Sequence, residues 1–243
     1  MNNIEIQEIE LDMIKCVDEI AKRHSISYML GYGSMLGAIR EQNIIPWDTD
    51  IDIIVNTDVY EDFCECLKRE LPVSYDIVDP YKDSSYEFLF SRVILRGNSH
   101  EIIHIDIYRE VGVSDSPNVQ KGINIVFMAL YWLYYIKKKP YKRERIHWGL
   151  LFAKMITIVI PSSLIRTCYR YMAVNFKVKD SNFVTNSNGS YGILEVIPTK
   201  WVTNIVKTKF GPIDAPISEH YHEYLTHFYK DYMTPKKENY VNK

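Results

Sequence analysis

The sequence predicts an α+β protein: a mixed sheet flanked by helices, then a helical middle segment rich in basic and aromatic residues, then a helical C-terminal tail. Two patterns carry most of this. Asp50 to Val55 alternates carboxylate and apolar side chains with period two, the mark of a strand whose faces meet different surroundings. Residues 6–24 place Ile9, Met13, Val17 and Ile20 at helical spacing, an amphipathic helix ending near His24.

The other elements follow in order. Ile26 to Gly31 reads as a short buried strand, and Ser34 to Glu41 as a short helix after a glycine-containing turn. Asn43 to Trp47 reads as a loop, because Pro46 keeps residue 45 out of the helical region. Asp58 with Glu61 reads as a capping box for a helix running to about Glu70. Three strand-like runs follow: Val73 to Val78, Phe88 to Leu95 and Glu101 to Tyr108. Gly122 to Lys179 is helical, aromatic and basic, with Tyr131, Trp132, Tyr134 and Tyr135 leading into Lys137, Lys138 and Lys139. Asp180 to Ser190 reads as a loop, Ile193 to Ile197 as a strand or hydrophobic turn, and Gly211 to Pro216 as a Gly-Pro and Ala-Pro loop. A last amphipathic helix spans about Ser218 to Tyr232. The expected organisation is a catalytic core over 1–110, the basic and aromatic segment over 111–185, and a tail over 186–243 packing on the core.

With 243 residues, 47% apolar and 25% charged, the chain has material for a real hydrophobic core, which excludes disordered and fibrous classes. Its 29 Lys and Arg against 31 Asp and Glu give a net charge of -2, which argues against a protein that coats nucleic acid. The charge is segregated. Residues 137–179 hold eleven Lys or Arg against the single Glu144, a net of +10, leaving -12 on the other 200 residues. The four cysteines, Cys16, Cys64, Cys66 and Cys168, have no paired spacing, and the N-terminus is acidic and helix-patterned; the expected location is the cytoplasm. No stretch reaches the roughly 18 to 20 apolar residues needed to span a bilayer. The nearest, Ile123 to Ile136, is short and holds Asn124, and Gly149 to Pro161 is broken by Lys154.

The chemistry concentrates in Leu30 to Val55, LGYGSMLGAIREQNIIPWDTDIDIIV. On a strand, Asp50 and Asp52 point to one face while Ile51 and Ile53 point into the core. Two such carboxylates repel unless a cation neutralises them, and oxygen-only ligands of this kind suit Mg²⁺ or Mn²⁺. Asp106, flanked by Ile105 and Ile107, presents a third carboxylate from another strand, with His104 on the same face. Gly33-Ser34 opens a helix whose N–H groups favour a diphosphate, and Arg40 adds a charge-assisted contact.

In combination, a Gly-Ser turn, a helix, a D-I-D strand and a distant apolar-Asp-apolar strand resemble the nucleotidyltransferase fold of the DNA polymerase beta superfamily. GYGSMLGAIREQNIIPWDTDIDI is similar to the LicD family signature, which runs roughly G-G-T-L-L-G-A-V-R, a short loop, then I-P-W-D-D-D-I-D. The tail residues Tyr224-Leu225, Tyr229, Asp231, Tyr232 and Pro235 resemble the family's terminal motif. Tyr32 and Ser34 stand where the family usually has Gly and Thr, Thr49 replaces the central Asp of the triple, and Lys230 stands where Gly is usual.

The resemblance implies metal-dependent transfer of phosphocholine, or another phospho-alcohol, from a CDP-activated donor such as CDP-choline to a hydroxyl of a cell-surface glycan. That acceptor is a lipopolysaccharide, teichoic acid or capsule polysaccharide, free or lipid-linked, and CMP is released. It assigns Asp50 and Asp52 to the divalent cation, and Asp106 to the metal shell or to the proton of the attacking hydroxyl. Gly33 and Ser34 would hold the diphosphate, with Arg40 outside them and Pro46-Trp47-Asp48 as the family-specific element. Trp47 stacks on the cytosine, faces a quaternary ammonium, or simply packs; His104 touches substrate or has no role. Two rival readings stand beside this one: a nucleotidyltransferase acting on a small molecule or protein, and a catalytically degenerate binding protein. The basic block suits an anionic cytoplasmic leaflet, a groove for an anionic glycan, or a solvated face, so peripheral membrane contact is one expectation.

Overall fold

The computed structural model describes residues 1–83, 85–99, 102–138, 157, 159–189 and 191–235. Much of the basic block and the Gly149 to Pro161 stretch lie outside these residues. The chain opens with α1 (Asn3–Arg23), started by a capping box: Asn2 Oδ1 accepts from the Glu5 N–H at 2.9 Å, and Glu5 Oε2 accepts from the Asn2 N–H at 3.0 Å. Then come β1 (Tyr28–Leu30), α2 (Tyr32–Arg40), β2 (Ile51–Asn56), α3 (Tyr60–Glu70), β3 (Tyr75–Val78), β4 (Ser91–Leu95) and the ten-residue β5 (His104–Val113). The second half holds α4 (Pro117–Lys138), α5 (Ser162–Asn175), β6 (Phe183–Asn186), β7 (Ile197–Pro198), α6 (Lys200–Thr203), β8 (Ile205–Phe210), β9 (Ile213–Ser218) and α7 (Tyr221–Tyr229).

Seven strands form one mixed sheet in the order β1-β2-β5-β4-β3, with β6 pairing the far half of β5 and β7 pairing β6. Seven α-helices among the described residues flank it. Only the β2–β5 pair is parallel, and its register sets Ile51 against Ile105, Asp52 against Asp106 and Ile53 against Ile107. All four isoleucines are fully buried, so the apolar face of each strand is committed to the core and the carboxylates must face the other way. A smaller cluster, Leu89, Val111, Phe127, Tyr134, Ile165, Tyr169 and Ala173, fills the space between the sheet, α4 and α5.

Three sequence expectations are corrected. Residues 183–186 of the expected Asp180 to Ser190 loop form β6, because the long β5 offers Glu110 to Val113 as an edge for them. The expected Gly-Pro and Ala-Pro loop is a hairpin: Gly211-Pro212 is its turn, and Pro216 sits within β9 opposite Lys207. Proline is tolerated there because both strands of a two-stranded sheet are edges. The Asp58/Glu61 capping box does not form. Val59 is the N-cap residue, Asp58 accepts from the Lys179 N–H at 3.1 Å, and Glu61 accepts from Arg109 at 2.8 Å. The expected strand or turn at Ile193 to Ile197 resolves as a 3-10 turn followed by β7.

Close approach fixes the glycine at position 37. A Cβ on Gly37 would stand 2.5 Å from the Asn43 carbonyl oxygen, so this residue lets α2 lie directly on the loop that leads to Asp48. Gly37→Ala is expected to cost about 1–3 kcal/mol by overpacking, measured as a lowered midpoint in urea unfolding with the slope unchanged.

Candidate active site

The sheet register builds the site. Asp52 and Asp106 are direct partners on strands about 4.8 Å apart. On its other side, Asp106 is paired across the antiparallel ladder with Arg92 of β4. The buried Arg92 guanidinium bonds both Asp106 oxygens, with Nη2 to Oδ2 at 3.0 Å. Tyr108 donates its hydroxyl to the same Oδ2 at 3.3 Å, and His104 Nε2 lies 3.7 Å from Oδ1. Arg92 is itself held between aromatic faces, 4.3 Å from the Phe88 centroid and 5.4 Å from that of Phe90. Asp106 is thus flanked by a carboxylate on one side and a fixed cation on the other.

Ser34 ties α2 to this strand pair. Its hydroxyl oxygen accepts from the Asp52 N–H at 2.8 Å, which leaves the hydroxyl proton for another acceptor. The first bond inside α2 runs from Met35 N–H to Gly31 C=O, so the N–H groups of Gly33 and Ser34 end the helix without intrahelical partners. The Asp48 carboxylate lies over that end, 3.0 Å from where a Cβ on Gly33 would be. The loop carrying Asp48 is pinned from α1, where the Gln7 amide donates to the carbonyls of Ile45 at 3.0 Å and Asp48 at 2.7 Å.

One turn further along α1, Glu10 is fully buried, and neither of its oxygens makes a well-formed hydrogen bond. Burial first, then the Asp50 and Asp48 charges, push its carboxyl up to about 9. Burial and Asp48 likewise push Asp50 up to about 7, and burial with Asp50 and Asp106 pushes Asp52 well above the carboxylate range. Sequence reading missed Glu10, Arg92 and Tyr108. Glu10 had a legible signal, since it shares a helical face with Met13, Ile14 and Val17; Arg92 had none, because its role depends on the β4–β5 register.

The structure brings together Gly33, Ser34, Asp48, Asp50, Asp52, His104 and Asp106. Arg40 sits at the opposite end of α2, about 9 Å along the axis from Ser34, donating to Glu41 at 2.7 Å and to the Tyr232 carbonyl at 3.3 Å. Its guanidinium lies 5.9 Å from the Trp47 ring centroid. His220, His222 and His227 do not converge; His222 pairs with Tyr232 and His227 with the Leu194 carbonyl. Cys16, Cys64, Cys66 and Cys168 are free thiols. Among the described residues no three His, Cys, Asp or Glu groups form a ready metal cage. A cleft of about 490 Å³ lined by Tyr81, Arg166 and Arg170 shares no residue with this site.

Both positions where this chain replaces a glycine usual in the LicD pattern adopt left-handed backbone: φ is 40° at Tyr32 and 61° at Lys230. An L side chain there costs about 1–2 kcal/mol. At Tyr32 the cost is offset by anchoring, since its hydroxyl donates to Glu195 and accepts from Asn186, each at 2.6 Å. Its ring packs among Tyr108, Tyr191, Tyr224 and Phe228.

A helix N-terminus beside carboxylates on a mixed sheet is the arrangement expected of a nucleotidyltransferase domain. Residues 25–147, half of the chain, match the family described as LicD/FKTN/FKRP, nucleotidyltransferase domain, and the chain belongs to the LicD family. It is also 23% identical over 250 aligned positions to the "Lipopolysaccharide cholinephosphotransferase LicD" of Haemophilus influenzae, covering 96% of this chain and 93% of that protein.

Carboxyl groups protonated more readily in the fold than in the unfolded chain lower stability as pH rises. The thermal midpoint is therefore expected to fall from about pH 4 through about 7 as Asp50 ionises, and on to about 9 as Glu10 does. Differential scanning calorimetry of Asp50→Asn and Glu10→Gln against wild type checks this, each variant showing a shallower fall in its own interval.

Proposed function

We propose that this LicD-like phosphotransferase moves phosphocholine from CDP-choline to a hydroxyl of a cell-surface glycan, releasing CMP. The observation that carries the reading is the Asp52/Asp106 register pair beside the Ser34 helix end, which sets an anion cradle against carboxylates. The cholinephosphotransferase named among its relatives supplies the choline and the lipopolysaccharide-type acceptor. The I-P-W-D element, whose Asp48 lies over Gly33, favours this reading over nucleotidyl transfer.

The half-buried, closely spaced carboxylates fit a divalent cation, Mg²⁺ or Mn²⁺. Asp50 and Asp52 would hold it, and the lack of a three-residue cage suits an ion that takes its remaining ligands from phosphates and water. When bound, the cation neutralises charge on the donor diphosphate. The chain's own groups do the rest. Gly33 and Ser34 N–H groups, with the free Ser34 hydroxyl proton, bind diphosphate oxygens and fix the choline-bearing phosphorus in line with the acceptor. Asp106, locked in place by Arg92 and Tyr108, accepts the proton of the attacking sugar hydroxyl. A bond forms from that oxygen to the choline-bearing phosphorus as the bond to CMP breaks. His104 flanks the point of attack, and Trp47 packs under the Arg40 guanidinium near the donor loop.

CMP release from CDP-choline in the presence of Mg²⁺ or Mn²⁺ and a glycan acceptor tests this. Asp52→Asn is expected to lower the rate by about 10²-fold or more, while Arg40→Gln keeps most of it. Pyrophosphate release from CTP or ATP, with no CMP from any CDP-alcohol, would replace the reading with nucleotidyl transfer.

A further inference from the structure

The outward face of α4 is apolar over four turns. From Gly122 onward it presents Ile125, Val126, Ala129, Trp132 and the half-buried Ile136 at helical spacing, with Ile125 55%, Val126 43% and Trp132 50% exposed. A Cβ on Gly122 would meet nothing within 4 Å, so this end of the stripe is open. Such a run of large apolar side chains on one exposed helix face marks an interaction surface.

The stripe is about 21 Å long, too short to cross a bilayer of about 30 Å, and no helix among the described residues is long and apolar enough to do so. It ends in Lys137 and Lys138, where the sequence enters the block carrying a net +10. A flat apolar strip with Trp within it and a dense basic run at its end complements an anionic lipid surface. A second copy is a poorer match, because one helix stripe offers only a few hundred Å² against about 800 Å² per partner in a stable dimer.

The adjoining face of the same helix borders the site, and Trp132 of the stripe lies edge-on to its Tyr131 and Tyr135 at 5.7 and 5.8 Å. Tyr135 packs on Phe88 at 5.8 Å, and Phe88 covers the Arg92 guanidinium that holds Asp106. Tyr131 stacks on Tyr135 at 6.1 Å and feels the Asp106 charge, which helps raise its hydroxyl pKa after burial and Tyr135. The exposed stripe and the aromatic residues that border the site therefore share one helix and touch through Trp132 and Tyr135.

We propose that α4 lies in the plane of an anionic membrane surface on this stripe and brings the Asp106 side of the site to the headgroup level. The adsorption stands on the surface alone; the delivery of a lipid-linked acceptor rests on the function proposed above.

Co-sedimentation of the full chain with phosphatidylcholine vesicles, with and without phosphatidylglycerol, tests the adsorption with no donor present. Wild type is expected to sediment with the anionic vesicles, less so as salt rises, with a blue shift in tryptophan emission that Trp132→Phe diminishes. Ile125→Glu/Ala129→Glu, with circular dichroism unchanged, is expected to bind at least about tenfold more weakly. Should that pair disturb the fold, Ala129→Glu alone must show the weakening. Wild type left in the supernatant, or a folded stripe variant that binds as tightly, overturns the proposal. So does a wild type that elutes from a sizing column at twice the mass of the variant, which assigns the stripe to a second copy. Vesicle binding without CMP release from CDP-choline would retain the surface and remove the donor reading.

Discussion

The parallel pairing of β2 with β5 is the constraint on which the site depends. It fixes Ile51 against Ile105 and Ile53 against Ile107 inside the core, so Asp52 must stand opposite Asp106 on the other face. A slip of one residue would put carboxylates into the core and isoleucines into the site. The hydrophobic interior thus enforces an electrostatic arrangement that is unfavourable on its own. Four aspartates and a buried glutamate gather around one point, and the fold supplies one fixed cation, Arg92, to the pair's outer side.

That imbalance gives the site its character. Arg92 satisfies Asp106 and immobilises it, whereas burial and Asp48 raise the pKa of Asp50, and burial with Asp50 and Asp106 raises that of Asp52. The two halves differ in their electrostatics: one carboxylate is held by a permanent cationic partner, and two are raised by burial and neighbouring carboxylates. The Ser34 hydroxyl links the halves, since its bond to the Asp52 N–H fixes the start of α2 relative to β2. Gln7 on α1 closes the arrangement by pinning the loop of Asp48 from behind.

What could be read from the sequence is what local periodicity encodes. D-I-D flanked by isoleucines announces a two-faced strand and the Gly-Ser turn a short helix; β2 runs Ile51–Asn56 with Asp50 just before it, and α2 runs Tyr32–Arg40. Elements that exist only because of a distant partner were not legible. β6 forms because β5 runs on past Tyr108 and leaves an edge to fill. The failed Asp58/Glu61 box shows the same effect, since Arg109 on a distant strand outcompetes a local helix cap for Glu61. Arg92 looks like any strand arginine until the register places it across from Asp106. Glu10 was legible in principle, as a charge on the buried stripe of its helix, and departures from the apolar pattern repay attention of that kind.

Tyr32 carries a last consequence. Its left-handed backbone opens α2, and it is held by Asn186 and Glu195 on its hydroxyl, by Tyr224, whose hydroxyl accepts from its N–H at 3.5 Å, and by Phe228 packed on its ring. Those partners lie more than 150 residues later in the chain. On a ribosome, the cradle's own residues emerge early but have nothing to hold their strained turn in place until the C-terminal segment has emerged. Long-range closure of this kind is slow and comes late. The nascent chain therefore carries the turn at Tyr32 in an unassembled form until residues 186–228 have been made, and its packed geometry appears only then.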